Sequence, residues 1–154
     1  MYTACGSAGR IVSFKLSPGD DLEQGLIEVC KKYDLKNGVI LSAFGSLQSA
    51  VVKNVIAIPN VKYNAGYGAP IEFTGPIELI GTTGVICHTD EGEILPHIHI
   101  TLSDHSGRGY GGHLCPGTRV KITVEGAIAE VDGINMRKLM DTERNILVFR
   151  PEQM

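Results

Sequence analysis

The chain has 154 residues, a formal net charge of −3 and a sequence pI near 5.9. Apolar residues make up 43% and charged residues 20% of it, as in an ordinary globular protein, so residues 1–154 are predicted to form a single domain. No apolar run approaches the roughly 18 residues of a membrane helix. No basic run marks a surface for nucleic-acid phosphates. Composition therefore argues against a membrane protein and against strong nucleic-acid binding.

The cysteines and the first residues favour a cytoplasmic location. Cys5, Cys30, Cys87 and Cys115 lie far apart and form no CxxC pair, which predicts free and mostly buried thiols. The opening MYTACGSAGR lacks the basic-then-apolar layout of a signal peptide.

One helix is predicted near the N-terminus, after a first strand at RIVSFKL. Asp20 is the expected N-cap with Glu23 as its capping-box partner, and Asn37-Gly38 is the expected stop. The apolar positions share the spacing of a single buried helix face, and they are Leu22, Leu26, Val29, Cys30 and Tyr33.

The rest of the chain is rich in β-branched residues and predicts strands. VILSAFGSLQSAVVKNVIAIP suggests two strands with a bend or bulge at Gly45-Ser46, and NVKYNAGYGAPIEFTGP has the composition of a loop. Further strands are expected at IELIGTTGVICH, ILPHIHITL, YGGHLCP, TRVKITVEGAIAEV and ILVFR. INMRKLMDTERN is ambiguous between a short helix and a turn. One helix and about eight strands joined by short turns predict an α+β fold with a largely antiparallel sheet.

The stretch HIHITLSDHSGRGYGGHL contains four of the five histidines. His97 and His99 are two residues apart in a strand, so their side chains point to the same face. A hairpin centred near Ser106 places position 113 opposite position 99, which brings His113 to that face. Three convergent imidazoles suit a zinc-type ion and leave a fourth position for water or substrate. The alternative is that these histidines are ordinary hydrogen-bonded or solvent-facing strand residues.

Other residues near the histidines are weaker candidates. His105 is assigned to the hairpin turn. His88 reaches the same face only if its own hairpin centres between Glu91 and Gly92. Glu93 and Glu125 could act as a base on a bound water, although each is more often a surface carboxylate.

The glycines of the same stretch have two readings. Gly111 and Gly112, just before His113, leave room for a ligand or for another backbone. Gly107, Gly109 and Gly112 also fit a dinucleotide-binding pattern, but that pattern needs a helix after it. HLCPGTRVKITV carries a proline and β-branched residues and predicts a strand instead.

Three blocks of the chain resemble the PPC domain, a family found in plants and prokaryotes. They are KLSPGDDLEQGLIEVCKKYDLKNGVILSAFGSLQSAVV, IEFTGPIELIGTTGVI and HIHITLSDHSGRGYGGHLCPGTRVKITVEGAIAEV. The resemblance implies an antiparallel sheet of about seven strands with one main helix and short helical segments, assembled as a homotrimer. It also implies a divalent metal, zinc above all, on His97, His99 and His113.

Two functions remain open at this point. The resemblance implies a DNA-binding or regulatory protein, since family members are commonly described so. Plant members bind DNA through a separate Arg-Gly-Arg-Pro element, which this chain lacks. Gly107-Arg108-Gly109-Tyr110 does not match that element. The alternative is a metal-dependent enzyme or small-molecule-binding protein that uses the open coordination position, and the acidic pI favours it.

Overall fold

The computed structural model describes residues 1–142 and 146–154. One α-helix, α1, spans Leu22–Lys32, and a short 3-10 turn spans Lys62–Asn64. The strands are β1 (Ser7–Leu16), β2 (Gly38–Lys53), β3 (Val55–Ala57), β4 (Ala65–Tyr67), β5 (Ile71–Ile86), β6 (His97–Ser103), β7 (Gly109–Leu114), β8 (Arg119–Asp132), β9 (Ile134–Asp141) and β10 (Ile146–Gln153).

Six of these strands form one antiparallel sheet in the order β1-β8-β2-β5-β6-β7. The end of β2 also pairs with β7, so β2, β5, β6 and β7 close on themselves as a small barrel. The other four strands form two separate hairpins, β3–β4 and β9–β10. The predicted antiparallel architecture is confirmed, but the expected sheet of about seven strands has six, and the extra strands lie in the hairpins.

Helix α1 packs on the sheet through its predicted apolar face, with one exception. Leu22, Leu26 and Cys30 are fully buried, whereas Tyr33 is 42% exposed because the helix ends at Lys32. Gly25 is a further buried residue of the helix, and a Cβ at this position would lie 2.8 Å from a methyl group of Leu16.

Both ends of α1 differ from the prediction. The N-cap is Asp21, whose Oδ1 accepts a hydrogen bond from the Gln24 amide at 3.1 Å. Asp20 instead accepts from the Ser17 amide at 2.7 Å, so it stabilises the preceding turn. The chain leaves the helix at Asp34, which has a left-handed φ of 49°, four residues before the glycine expected to end it.

Two further segments correct the sequence-based assignment. Residues 38–53 form one continuous strand, because the irregular pairing around Gly45 is absorbed as a bulge without breaking the strand. The segment expected to be a loop contains β4 and the first six residues of β5, and residues 71–74 of β5 pair with residues 49–52 of β2.

The tail is a strand and not a helix over residues 134–141, with Thr142 in a turn after it. Residues 134–141 form β9, which pairs with β10 over eight successive positions, and this pairing decides between the alternatives. Positions 143–145 of the ambiguous segment lie outside the described residues.

The cysteines are all free, as predicted. Cys30, Cys87 and Cys115 are buried, and Cys5 is exposed. Burial raises the pKa of Cys30 and of Cys87 to about 11, so both are neutral thiols near pH 7. Within the described ranges, no helix combines the length and the hydrophobicity that crossing a bilayer requires.

Candidate metal centre

The strand parity of β6 places His97 and His99 on one side of the sheet. Ile98 and Ile100, which alternate with them, are only 2% and 3% exposed and point into the core. The histidines therefore face outward, because successive side chains of a strand lie on opposite faces. In the β6–β7 pairing His99 is directly opposite His113, which confirms the predicted hairpin register.

The three imidazoles form a nearly equilateral cluster. The ring centroids are 5.3 Å apart for His97–His99, 5.1 Å for His97–His113 and 5.3 Å for His99–His113. One nitrogen of each ring lies within 4.8 Å of the corresponding nitrogens of the other two. Among residues 1–142 and 146–154, this trio is the one group of histidine, cysteine and carboxylate side chains with the spacing of a metal site.

The protonation state of the cluster suits a cation. Burial is the largest factor that lowers the pKa of His113, to about 4, with smaller contributions from the neighbouring histidines and lysines. Burial likewise lowers the pKa of His97. Both imidazoles are therefore neutral near pH 7, and a neutral imidazole carries the lone pair that coordinates a metal.

One ring nitrogen of the cluster is unsatisfied by the protein. Nδ1 of His113 is buried and has no hydrogen-bond partner among the described residues. Leaving a buried polar atom unpaired costs about 1–3 kcal/mol, so a native structure normally pairs such an atom with a ligand or water. A set of three convergent imidazoles, one of them with a buried nitrogen that lacks a partner, fits a divalent ion such as zinc.

The β9–β10 hairpin covers one side of this cluster. It is attached to the segment between β5 and β6 by two backbone hydrogen bonds, His88 N to Met136 O at 3.1 Å and Lys138 N to His88 O at 3.0 Å. The Lys138 ammonium donates to the carbonyl of Pro96 at 3.4 Å, directly before His97. Lys138 is thereby held next to His97, which is half-buried although it points away from the core.

Two lysines and a tyrosine surround the imidazoles. Lys138 lowers the pKa of both His97 and His113, and Lys53, which is paired opposite His113, lowers that of His113 further. The centroid of the Tyr67 ring lies 5.1 Å from that of the His113 ring, so the two rings are in contact.

The glycines before His113 allow another backbone to approach closely, which was one of the two predicted reasons for them. A Cβ on Gly111 would lie 2.5 Å from the Ile100 carbonyl oxygen on β6. A Cβ on Gly112 would collide with the Asn54 side chain. Gly107 has a φ of 79° and belongs to the hairpin turn, and the segment at 119–132 is strand β8. The exclusion of a dinucleotide loop is therefore confirmed.

The weaker candidates lie elsewhere. Both ring nitrogens of His88 are hydrogen-bonded, Nδ1 to Thr89 O at 2.8 Å and Nε2 to Asn135 Oδ1 at 2.9 Å, so His88 is not part of the cluster. His105 is exposed in the turn, as expected. Glu93 lies in the exposed turn after Thr89. Glu125 of β8 lies opposite Lys15 of β1. Neither carboxylate joins the three histidines.

Sequence reasoning missed Lys138, Lys53 and Tyr67. Lys138 comes from the tail whose structure was ambiguous, and Tyr67 lies within the segment expected to be a loop. Lys53 lies within a predicted strand, but its pairing with His113 joins residues 60 positions apart. Strand assignments for β4 and β9, together with the β2–β7 register, would have been needed to place these residues, and the sequence carries no local signal for that register.

The antiparallel fold and the histidine cluster define a class of protein that comparison identifies. The Plants and Prokaryotes Conserved (PCC) domain model matches residues 3–132. The chain belongs to this family.

A curated relative and three solved structures are similar to it. The relative is the bifunctional protein GlmU of a Synechococcus species, 31% identical over 121 residues, which are 79% of this chain but only 17% of GlmU. A plant- and prokaryote-conserved protein of Pyrococcus horikoshii has a TM-score of 0.81 at 24% identity and covers 100% of both chains. A metal-containing protein of Archaeoglobus fulgidus has a TM-score of 0.81 at 23% identity, covering 97% of this chain and 99% of that one. A candidate DNA-binding protein of Bacteroides thetaiotaomicron has a TM-score of 0.75 at 15% identity, covering 94% and 96%.

Proposed function

We propose that this protein binds a divalent metal, zinc, through His97, His99 and His113, and uses the remaining coordination position to bind a small molecule. The observation that carries the proposal is the convergence of three imidazoles, one of which, that of His113, has a buried Nδ1 without a hydrogen-bond partner among the described residues. A neighbour in fold described as a metal-containing protein supports it.

The chain's own residues supply a preorganised site. The β6–β7 register fixes two imidazoles on facing strands, and the β9–β10 hairpin places the Lys138 ammonium at the carbonyl directly before His97. When bound, a zinc ion held by three histidines polarises the oxygen of a fourth ligand. Among the described residues, the cluster consists of histidines and includes no carboxylate, so its side chains bring no negative charge to the ion.

Elemental analysis of the purified protein tests the metal directly. We expect about one zinc per chain in the wild type and a loss of stoichiometric metal in His97→Ala and in His113→Ala. His105→Ala, in the neighbouring turn, is the matched control and is expected to retain the ion. A wild type without stoichiometric metal after exposure to zinc and dialysis rejects the proposal.

We further propose that the protein is a cytoplasmic homotrimer. Support for assembly comes from large apolar side chains that are exposed on the neighbouring strands β2, β5 and β8, here called the apolar patch. They are Leu41, Phe44, Ile80 and Ile122, each of them at least 52% exposed. Several large exposed apolar side chains on neighbouring strands favour a protein interface. Four free cysteines, three of them buried, agree with a reducing compartment.

A DNA-associated regulatory role is the second candidate, because a neighbour in fold is described as a candidate DNA-binding protein. The net charge of −3 opposes it. A gel-shift titration with duplex DNA at two salt concentrations separates the two functions, since phosphate-driven binding weakens steeply with salt. An absence of binding at low salt eliminates the DNA role and leaves the metal proposal untouched.

A further inference from the structure

Lys138 has an unusual position for a lysine. Its side chain is half-buried, and its ammonium donates to the Pro96 carbonyl at 3.4 Å, next to the first histidine of the cluster. The β9 backbone holds it there through the hydrogen bond from Lys138 N to His88 O. Lysine side chains normally keep their charge in water, so a half-buried ammonium needs a reason.

An ion pair does not supply that reason. Within the described ranges, no carboxylate lies within 4.0 Å of the Lys138 ammonium. Glu23 is the carboxylate whose field reaches the ammonium, but among the described residues no ion pair joins the two. One carbonyl hydrogen bond leaves two of the three ammonium donors available.

The charge around the histidines has one sign. The side chains whose fields act on His97 and His113 are other histidines, Lys138 and Lys53. An imidazole coordinates a metal in its neutral form, so three histidine ligands would not neutralise a divalent ion. The site would then carry the charge of the ion together with that of the lysines, and such a site attracts an anion.

We infer that the ligand of the proposed metal site is a small anion with a carboxylate or phosphate oxygen, and that the Lys138 ammonium binds this anion beside the ion. The inference rests on the proposed function and names its class of ligand. A hydrogen bond from an ammonium to an ionised oxygen is about twice as strong as one between neutral groups. Lys138 therefore contributes to selecting an anionic over a neutral ligand.

Cobalt(II)-loaded protein allows the anion to be measured apart from any activity, because ligand exchange at the cobalt ion changes its visible spectrum. Acetate and inorganic phosphate are titrated separately into the wild type and Lys138→Met, which removes the charge but keeps the apolar stem. Loss of one close charge is expected to weaken anion binding by about tenfold. Acetate and phosphate arms distinguish a carboxylate from a phosphate ligand.

Three further variants sharpen the comparison. Lys138→Arg keeps the charge and is expected to restore most of the affinity, which a purely structural role would not predict. Lys138→Gln is a second neutral variant, so the result does not depend on how one side chain packs. Lys36→Met removes an exposed lysine next to Asp34 and is expected to bind anions like the wild type.

The possible failures are distinguishable. A wild type that takes up no cobalt rejects the metal site itself. A wild type that holds cobalt but binds neither anion overturns the inference about Lys138 and leaves the metal proposal standing. Equal anion affinity in the wild type and in both neutral variants overturns it as well.

Discussion

His99 lies directly opposite His113 across the β6–β7 hairpin, and the pairing continues without a register shift to Ser103 and Gly109. Because the side-chain period of a strand is two residues, a slip of one position would turn His113 toward the core. The candidate metal centre therefore depends on the register of a single hairpin. Every variant that leaves this register intact is expected to leave the two rings facing each other.

Zinc is expected to stabilise the folded protein through the three histidines. At a free zinc concentration one hundred times the Kd, binding adds about 2.7 kcal/mol to the free energy of unfolding, which raises the Tm by roughly 5 to 10 °C. His99→Ala is expected to lose most of this increment in differential scanning fluorimetry. His105→Ala, in the exposed turn, is expected to keep it, and an equal loss in both variants would contradict a specific site.

Gly111→Ala is expected to destabilise the hairpin that carries His113. The new Cβ would lie 2.5 Å from the Ile100 carbonyl oxygen, so the strands must separate, at a cost of about 1–3 kcal/mol. Gly109→Ala is the matched control on the same strand, because no heavy atom lies within 4 Å of its Cβ position. Urea denaturation of both variants measures the difference, and equal stabilities would refute the close approach.

The hairpin could be predicted from the sequence because its evidence is local. Alternation fixes the face of His97 and His99, and the symmetry of the turn fixes the partner of position 99. The cover over the cluster could not be predicted, since it depends on contacts between residues about 40 to 50 positions apart, such as His88 with Met136 and Lys138. The choice of Asp21 over Asp20 as N-cap likewise depends on tertiary contacts, because Asp21 also accepts a hydrogen bond from the Gly117 amide at 2.7 Å.

The carboxylate of Asp104 organises the turn between β6 and β7. It accepts hydrogen bonds from the Ser106 hydroxyl at 2.6 Å, the Ser106 amide at 2.8 Å, the Tyr110 hydroxyl at 3.0 Å and the Arg108 amide at 3.1 Å. These bonds, led by that from the Ser106 hydroxyl, hold the pKa of Asp104 well below its usual range. A depressed carboxyl pKa stabilises the folded state above the unfolded pKa and loses that contribution as the pH falls.

Asp104→Asn is therefore expected to lower the Tm at pH 7, and the gap to the wild type is expected to narrow below about pH 4, where the unfolded carboxyl takes up its proton. Thermal unfolding of both proteins between pH 7 and pH 2.5 measures the gap. Tyr110→Phe removes one of the donors and is expected to show a smaller gap of the same sign. A gap that stays constant over this range would show that the carboxylate charge is not its cause.

Helix α1 provides a test of which predicted apolar positions are core. Leu26 is fully buried, so Leu26→Ala is expected to reduce the free energy of unfolding by about 2–5 kcal/mol. Tyr33→Ala, at the position expected to be buried but found 42% exposed, is expected to change it by less than about 1 kcal/mol. Chemical denaturation measures both, and a larger loss at Tyr33 than at Leu26 would reverse the assignment of the helix face.

The proposed trimer makes a prediction at the apolar patch. Phe44 is 52% exposed and lies directly opposite Glu125 on β8. Phe44→Lys places a charge in the patch, while its cross-strand pairing with Glu125 favours the folded sheet. If the patch is the interface, size-exclusion chromatography with light scattering will give a trimer for the wild type and smaller species for Phe44→Lys.

Tyr33→Lys adds the same charge on the helix and is expected to stay trimeric, because only a charge buried between subunits carries a large desolvation cost. A monomeric wild type would reject the trimer, and a trimeric Phe44→Lys would place the interface on another surface.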